Sequence, residues 1–322
     1  MRQAVRHCFA GLALAAALAP ASATAQILIE ASERLADDRP EAWAANRATA
    51  ASLMTGFGDA TPAPGTWRVA AELAQVPHFD AAQRRVGFNG NKVEDLNKAP
   101  VFGRLRVIRG LPHGFAVELG WTPPVRHRGA RAEDLVAVAL SKRWALGGAV
   151  ALTARVFGQH GDIAGDITCP ARLAGIDDFA VNPYGCQAPS RDRVSLHHHG
   201  LELGIAAGTG AWRWHAGVGA LRNEAQVQVD ALVYDARDRT RLVVRDTRPF
   251  FAAGVRRHLG GHWSVAAEVL HMPMSRRIGP GHPHVHEPGE EHADDRPVDG
   301  DPYTGLRVQL AWDAGGTSGR AR

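Results

Sequence analysis

Several stretches of the chain alternate apolar residues with polar or small ones at a period of two. Trp67, Val69, Ala71 and Leu73 alternate with Arg68, Ala70, Glu72 and Ala74. Phe115, Val117, Leu119 and Trp121 alternate with Ala116, Glu118 and Gly120, and Val150, Leu152, Ala154 and Val156 with Ala151, Thr153 and Arg155. Trp263 to Val269 and Leu306 to Trp312 repeat the pattern. A period of two puts successive side chains on opposite faces, which is the signature of strands with one apolar face.

The connections between these stretches also alternate. Short joins at 111–114, 144–148, 207–210 and 258–262 are interleaved with long polar segments at 77–100, 124–132, 159–192, 222–240 and 272–302. Tight turns on one side and long loops on the other are the habit of membrane barrels, where the long loops face outward. The joins imply about ten antiparallel strands, within roughly eight to twelve, with both termini on the tight-turn side. Residues 211–234 and 240–257 are long enough to project beyond the membrane around a turn at 235–238. Trp67, Phe115, Trp144, Trp212, Trp263 and Trp312 all fall at the tight-turn end, and Trp121 at the opposite one. Aromatic rings concentrate at membrane boundaries because an apolar body and a polar edge are both accommodated there. A soluble sandwich or lipocalin-like barrel would share the alternation. The narrow polar face, mostly Arg, Glu, Gly and Ala, suits instead the interior of a small barrel. The pattern therefore predicts an all-β, transmembrane antiparallel β-barrel.

Gly305-Leu-Arg-Val-Gln-Leu-Ala-Trp312 is an alternating strand ending in an aromatic, and it resembles the C-terminal strand signal of bacterial outer-membrane β-barrel proteins. The departure is that residues 313–322 follow the aromatic. The resemblance extends over about 67–312 and is to the broad class, with no family of known activity. It implies an outer-membrane location, with membrane lipid and the barrel-assembly machinery as partners, and a monomer.

Strand parity aims Arg68, Glu72, Arg104, Arg106, Glu118, Arg143, Arg155, Glu202, Arg213, His215, Arg256, Glu268 and Arg307 into the lumen. Arginine exceeds glutamate, so an open lumen would favour anions. A barrel this small is more readily filled by side chains, which makes a closed, ion-paired lumen the expected state.

Ahead of the strands, residues 27–55 do not alternate. They predict a short helix beginning after Asp37 or Asp38 with Pro40 in its first turn. It would plug the lumen, lie on the rim or dock a partner, with packing in the lumen or on the rim preferred. Gly56, Gly58, Pro62, Pro64 and Gly65 then form a linker. At the start, Arg2 and Arg6 precede an apolar run over 9–20, and Ala23-Thr24-Ala25 fits a small-x-small cleavage site. The run is short for a membrane anchor, so a cleaved export signal is expected. The organisation is thus a signal peptide at 1–25, a helical segment and linker at 26–65, a barrel at 66–313 and a tail at 314–322.

The formal charge of +4 falls to +2 without Arg2 and Arg6, too little to suggest nucleic acid. Cys8 leaves with the signal, so Cys169 and Cys186 predict one disulfide in an exported protein. His282, His284 and His286, with His292 and neighbouring glutamates and His271 before them, could hold Zn, Ni or Cu. A solvated Gly/Pro/His-rich loop is the simpler expectation. Phe88-Asn89-Gly90-Asn91 predicts a tight type I′ turn in an outer hairpin. His198 and Glu202 point inward by parity, and His198 is expected to be a hydrogen-bonded structural histidine rather than part of a hydrolytic site. The sequence thus favours a non-enzymatic barrel whose outer loops bind a ligand, ion or surface partner. A narrow channel for anions and a surface hydrolase are the alternatives.

Overall fold

The computed structural model describes residues 27–58, 61–147, 149–277, 297–298 and 300–314. The expected signal peptide, the His282–His292 cluster and nearly all of the tail lie outside the described residues.

Ten strands make the wall. They are β1 (Trp67–Gln75), β2 (Val101–Gly110), β3 (Phe115–Trp121), β4 (Arg131–Gly147), β5 (Val150–Gly165), β6 (His198–Ala207), β7 (Trp212–Asn223), β8 (Asp246–Gly260), β9 (Trp263–Met272) and β10 (Tyr303–Ala314). Each pairs antiparallel with the next, and β10 returns to β1 through Trp312↔Val69, so the sheet is closed. Closure leaves no unpaired edge in the wall, as a strand structure in lipid requires. Burial is inverted relative to a soluble protein: on β1, outward Leu73 is 51% exposed while neighbouring Glu72 is 1% exposed. The apolar face therefore meets lipid and the charged face is enclosed.

Trp67, Phe115, Trp144, Trp212, Trp263 and Trp312 are exposed on the outside at the tight-turn end, and Trp121 is exposed near the other. Cations accompany the rim. Arg109 lies over Trp67 at 4.6 Å, Arg257 over Trp212 at 5.0 Å and Lys142 over Phe115 at 4.4 Å. Each keeps its charge at the polar boundary while its stem covers apolar surface.

Beyond the long-loop end the wall continues into a cap. β5 outruns β6, and its end pairs with Asp192–Ser195. That strand pairs with Gln226–Gln228, which pairs with Arg241–Val243. The segments after β7 and before β8 are thus broken into short strands instead of the continuous long ones expected. Gly161 sits where β4 bulges onto β5; its φ is +132°, and a Cβ would lie 2.4 Å from the Asp134 carbonyl oxygen. In the first outer loop, Arg85–Val86 and Lys92–Val93 form a hairpin, but Gly87–Gly90 is a helical turn in place of the expected I′ turn. Phe88 has a φ of +49° there. Cys169 and Cys186 form the expected disulfide, with Cα atoms 5.6 Å apart. Asp192 ties the same region together, accepting from the backbone N–H of Ile167, Thr168 and Asp230 and from Ser190 Oγ.

The N-terminal segment takes a path that alternation could not reveal. Ile27–Ile29 adds in parallel to Ala236–Asp238, and Ser32–Arg34 adds in parallel to Arg241–Val243. Both are strands of the outer cap. Helix α1 (Pro40–Ser52) then sits in the mouth, and residues 53–58 descend the lumen toward β1. The two ends of the wall do share the tight-turn side, but the described N-terminal residues emerge on the other. The expected placement of both barrel ends on one side therefore holds for the wall, while the segment ahead of it runs to the opposite side.

Candidate functional site

Helix α1 begins with Pro40, whose missing N–H removes an unmet donor and whose ring presets a helical φ. It is Ala-rich and buried along most of its length, so no single apolar stripe develops. The wall holds it by its polar groups. Asn46 Nδ2 donates to Asp246 Oδ2 (2.7 Å), Asn223 Nδ2 donates to Asn46 Oδ1 (2.6 Å), and Trp43 Nε1 donates to the Asp301 carbonyl (3.3 Å). These partners stand at the long-loop ends of β7, β8 and β10.

The end of α1 explains the lumen arginines. A helix leaves its last carbonyls without internal partners and carries partial negative charge there. α1 has no basic residue in its own last turn; the wall supplies the cations. Arg307 donates to the carbonyls of Leu53 and Ala50 (2.8 Å to the latter). Arg104 donates to Ser52 O and to Gln159 Oε1 (2.6 Å). Arg155 donates to Met54 O (2.6 Å) and Glu202 (3.2 Å), and Arg106 to Thr55 O (2.8 Å) and Glu72 (2.9 Å). Glu118 binds both Arg106 and Arg155. The lumen is therefore not closed by ion pairs among wall residues alone; arginine-to-carbonyl bonds seal it around the chain's own segment.

Carboxylates complete the grip. Gly56 N donates to Glu202 (3.0 Å), and Thr55 Oγ1 donates to Glu268 Oε1 (2.5 Å), whose other oxygen meets His215 Nε2 at 3.1 Å. Gly58 lies so close to His215 that a Cβ would come within 2.3 Å of that side chain. The void left beside them is about 10 Å³, the space of at most one water. Nearer the tight turns, Arg256 donates to Ser264 and Gln309, Arg68 pairs with Asp313 at 2.6 Å, and Arg143 and Arg213 are half-buried.

His198 is buried, as parity requires, but not hydrogen-bonded as expected. Neither ring nitrogen has a partner among the described residues, and the ring packs edge-on against Phe157 at 6.2 Å. His271 pairs with Thr304 on β10 at 2.9 Å. Among the described residues no group of three or more His, Cys, Asp or Glu is arranged to hold a metal.

Above the sealed lumen the cap encloses a second feature, a cavity of about 450 Å³. Ala44 and Ala48 of α1 form one wall, and Phe79, Leu96, Phe102, Val227 and Leu242 contribute others. No local pattern marks it, because its lining is scattered from residue 33 to residue 303. At its margin Lys92 Nζ donates to Glu94 Oε2 and to Thr168 O, both at 2.6 Å. Burial outweighs the lysine and pushes the Glu94 carboxyl up to about 7. Lys98 binds Asp95 and Asp166, each at 2.7 Å, bracing the first outer loop against the disulfide-bearing one.

A closed ten-strand wall, a lipid-facing apolar belt and an aromatic rim define an outer-membrane β-barrel protein. No protein-family model and no curated protein matches the chain. Solved structures do overlap it. The KdgM porin shares 8% identity over 76% of this chain and 98% of its own, with a TM-score of 0.30. LpxR from Salmonella typhimurium shares 9% over 76% and 99%, at 0.33. The Pseudomonas putida toluene transporter TodX shares 12% over 84% and 76%, at 0.31. These overlaps are loose, and the fold assignment rests on the strand ladder itself.

Proposed function

We propose that the protein is a non-enzymatic surface-binding barrel whose outer cap takes up a small, mainly apolar molecule. The cavity between α1 and the cap strands carries this reading. Its volume of about 450 Å³ falls in the range of small-molecule sites, and its walls are chiefly aliphatic and aromatic. The sealed lumen beneath supports retention at the surface over passage through the wall.

The test uses N-phenyl-1-naphthylamine as an apolar fluorescent probe on purified, folded protein. Ala48→Trp fills the cavity from the helix side. It is expected to weaken probe binding at least about tenfold, since a filled pocket loses most of the buried apolar contact area. Heat-modifiable migration in detergent gels should be unchanged. Equal probe affinity in a folded Ala48→Trp variant would overturn the reading.

A further inference from the structure

The plug's grip points to an activity separate from the cap cavity. We propose that the barrel is an anion-conducting pore held shut by its own residues 40–58, and that displacement of this segment opens it.

Three observations carry this. First, clearance: at the level of Leu53 to Gly58 the wall encloses a non-helical main chain with its side chains. An interior wide enough for an extended chain, roughly 5 Å between neighbouring backbones, admits water and small ions once that chain leaves. Second, wettability: Glu72, Arg104, Arg106, Arg155, Gln159 and Arg307 face the plug and are nearly fully buried. A polar interior of this kind hydrates when emptied, whereas an apolar one would collapse or dewet.

Third, charge: without the segment, Arg104 keeps Gln159 and the Phe102 ring, and Arg307 keeps Tyr303 and a 3.9 Å approach to Glu72, with Glu268 nearby. Glu72 and Glu118 already serve Arg106, and Glu118 and Glu202 serve Arg155. Around the plug, Arg104, Arg106, Arg155 and Arg307 face Glu72, Glu118, Glu202 and Glu268, so the positive surplus of the lining lies nearer the tight turns. An anion is the mobile species that such a surplus favours. Arg143, Arg213 and Arg256 extend the cationic lining toward the tight-turn end.

The experiment is planar-bilayer recording of the full chain in a potassium chloride gradient. Wild type is expected to be silent. Ser52→Arg leaves the wall unchanged but sets bulk and a like charge against Arg104, and should produce single-channel steps reversing on the chloride side. Ser52→Ala should stay closed. A Ser52→Arg protein that keeps heat-modifiable migration yet stays silent, or that passes potassium in preference, overturns the proposal. If Ser52→Arg does not fold, wild type in urea below the concentration that abolishes heat-modifiable migration decides instead. Reversible chloride-selective openings support the plug as gate; persistent silence or cation selectivity overturns it. Neither arm reads probe binding in the cap cavity, so its failure and that of the binding reading remain distinct.

Discussion

Arg307 is buried completely, yet its chief partners are main-chain carbonyls of the threaded segment and not a carboxylate. Truncating this side chain to a methyl group would leave those acceptors unmet, at about 1–3 kcal/mol for each buried group. Arg307→Ala is therefore expected to make the segment after α1 cleavable by added protease while the wall stays folded; unchanged protection would show that the guanidinium does not hold it. Glu94 behaves differently, because its folded value of about 7 lies above the ordinary 4.5. The stability it contributes is fully present below 4.5 and is lost as the pH rises through about 7. Protease resistance of the hairpin around Glu94, taken relative to Glu94→Gln, should fall between about pH 5 and about pH 8. A ratio that stays flat across that interval would contradict burial as the dominant influence on this carboxyl.

At the scale of elements, the wall is legible in the sequence because each strand carries its own evidence. Val69 and Leu73 against Arg68 and Glu72 specify both the strand and its facing. Cys169 and Cys186 pair by elimination once export is inferred. Pro40 marks the start of α1 and packing in the lumen or on the rim is the placement the sequence favours, but its orientation there is not legible: a helix buried nearly all round has no polar face to orient it. The strands at Ile27–Ile29 and Ser32–Arg34 are invisible because three residues show no period and their partners lie some two hundred positions away. The cap cavity escapes for the same reason, being assembled from contacts and not from any local pattern. The disulfide closes a separation of 17 residues, for which loss of the crosslink costs about 3 kcal/mol. Cys169→Ser with Cys186→Ser should render 170–185 protease-sensitive without altering heat-modifiable migration. Equal resistance would mean that Asp192 and Asn182, with their backbone bonds, hold this loop unaided.

For the molecule as a whole, the wall begins and ends on the tight-turn side while Ile27 stands beyond the opposite mouth. An epitope inserted between Glu30 and Ala31, both exposed, should bind antibody on intact cells. Binding only after permeabilisation would refute the threaded path. Threading also constrains the order of assembly. A ring already zipped from β10 to β1 would have to admit α1 through a lumen it nearly fills, so the segment is best placed before that seam closes. The protein then resembles a bead formed around its own thread, with the seam between β10 and β1 as its clasp.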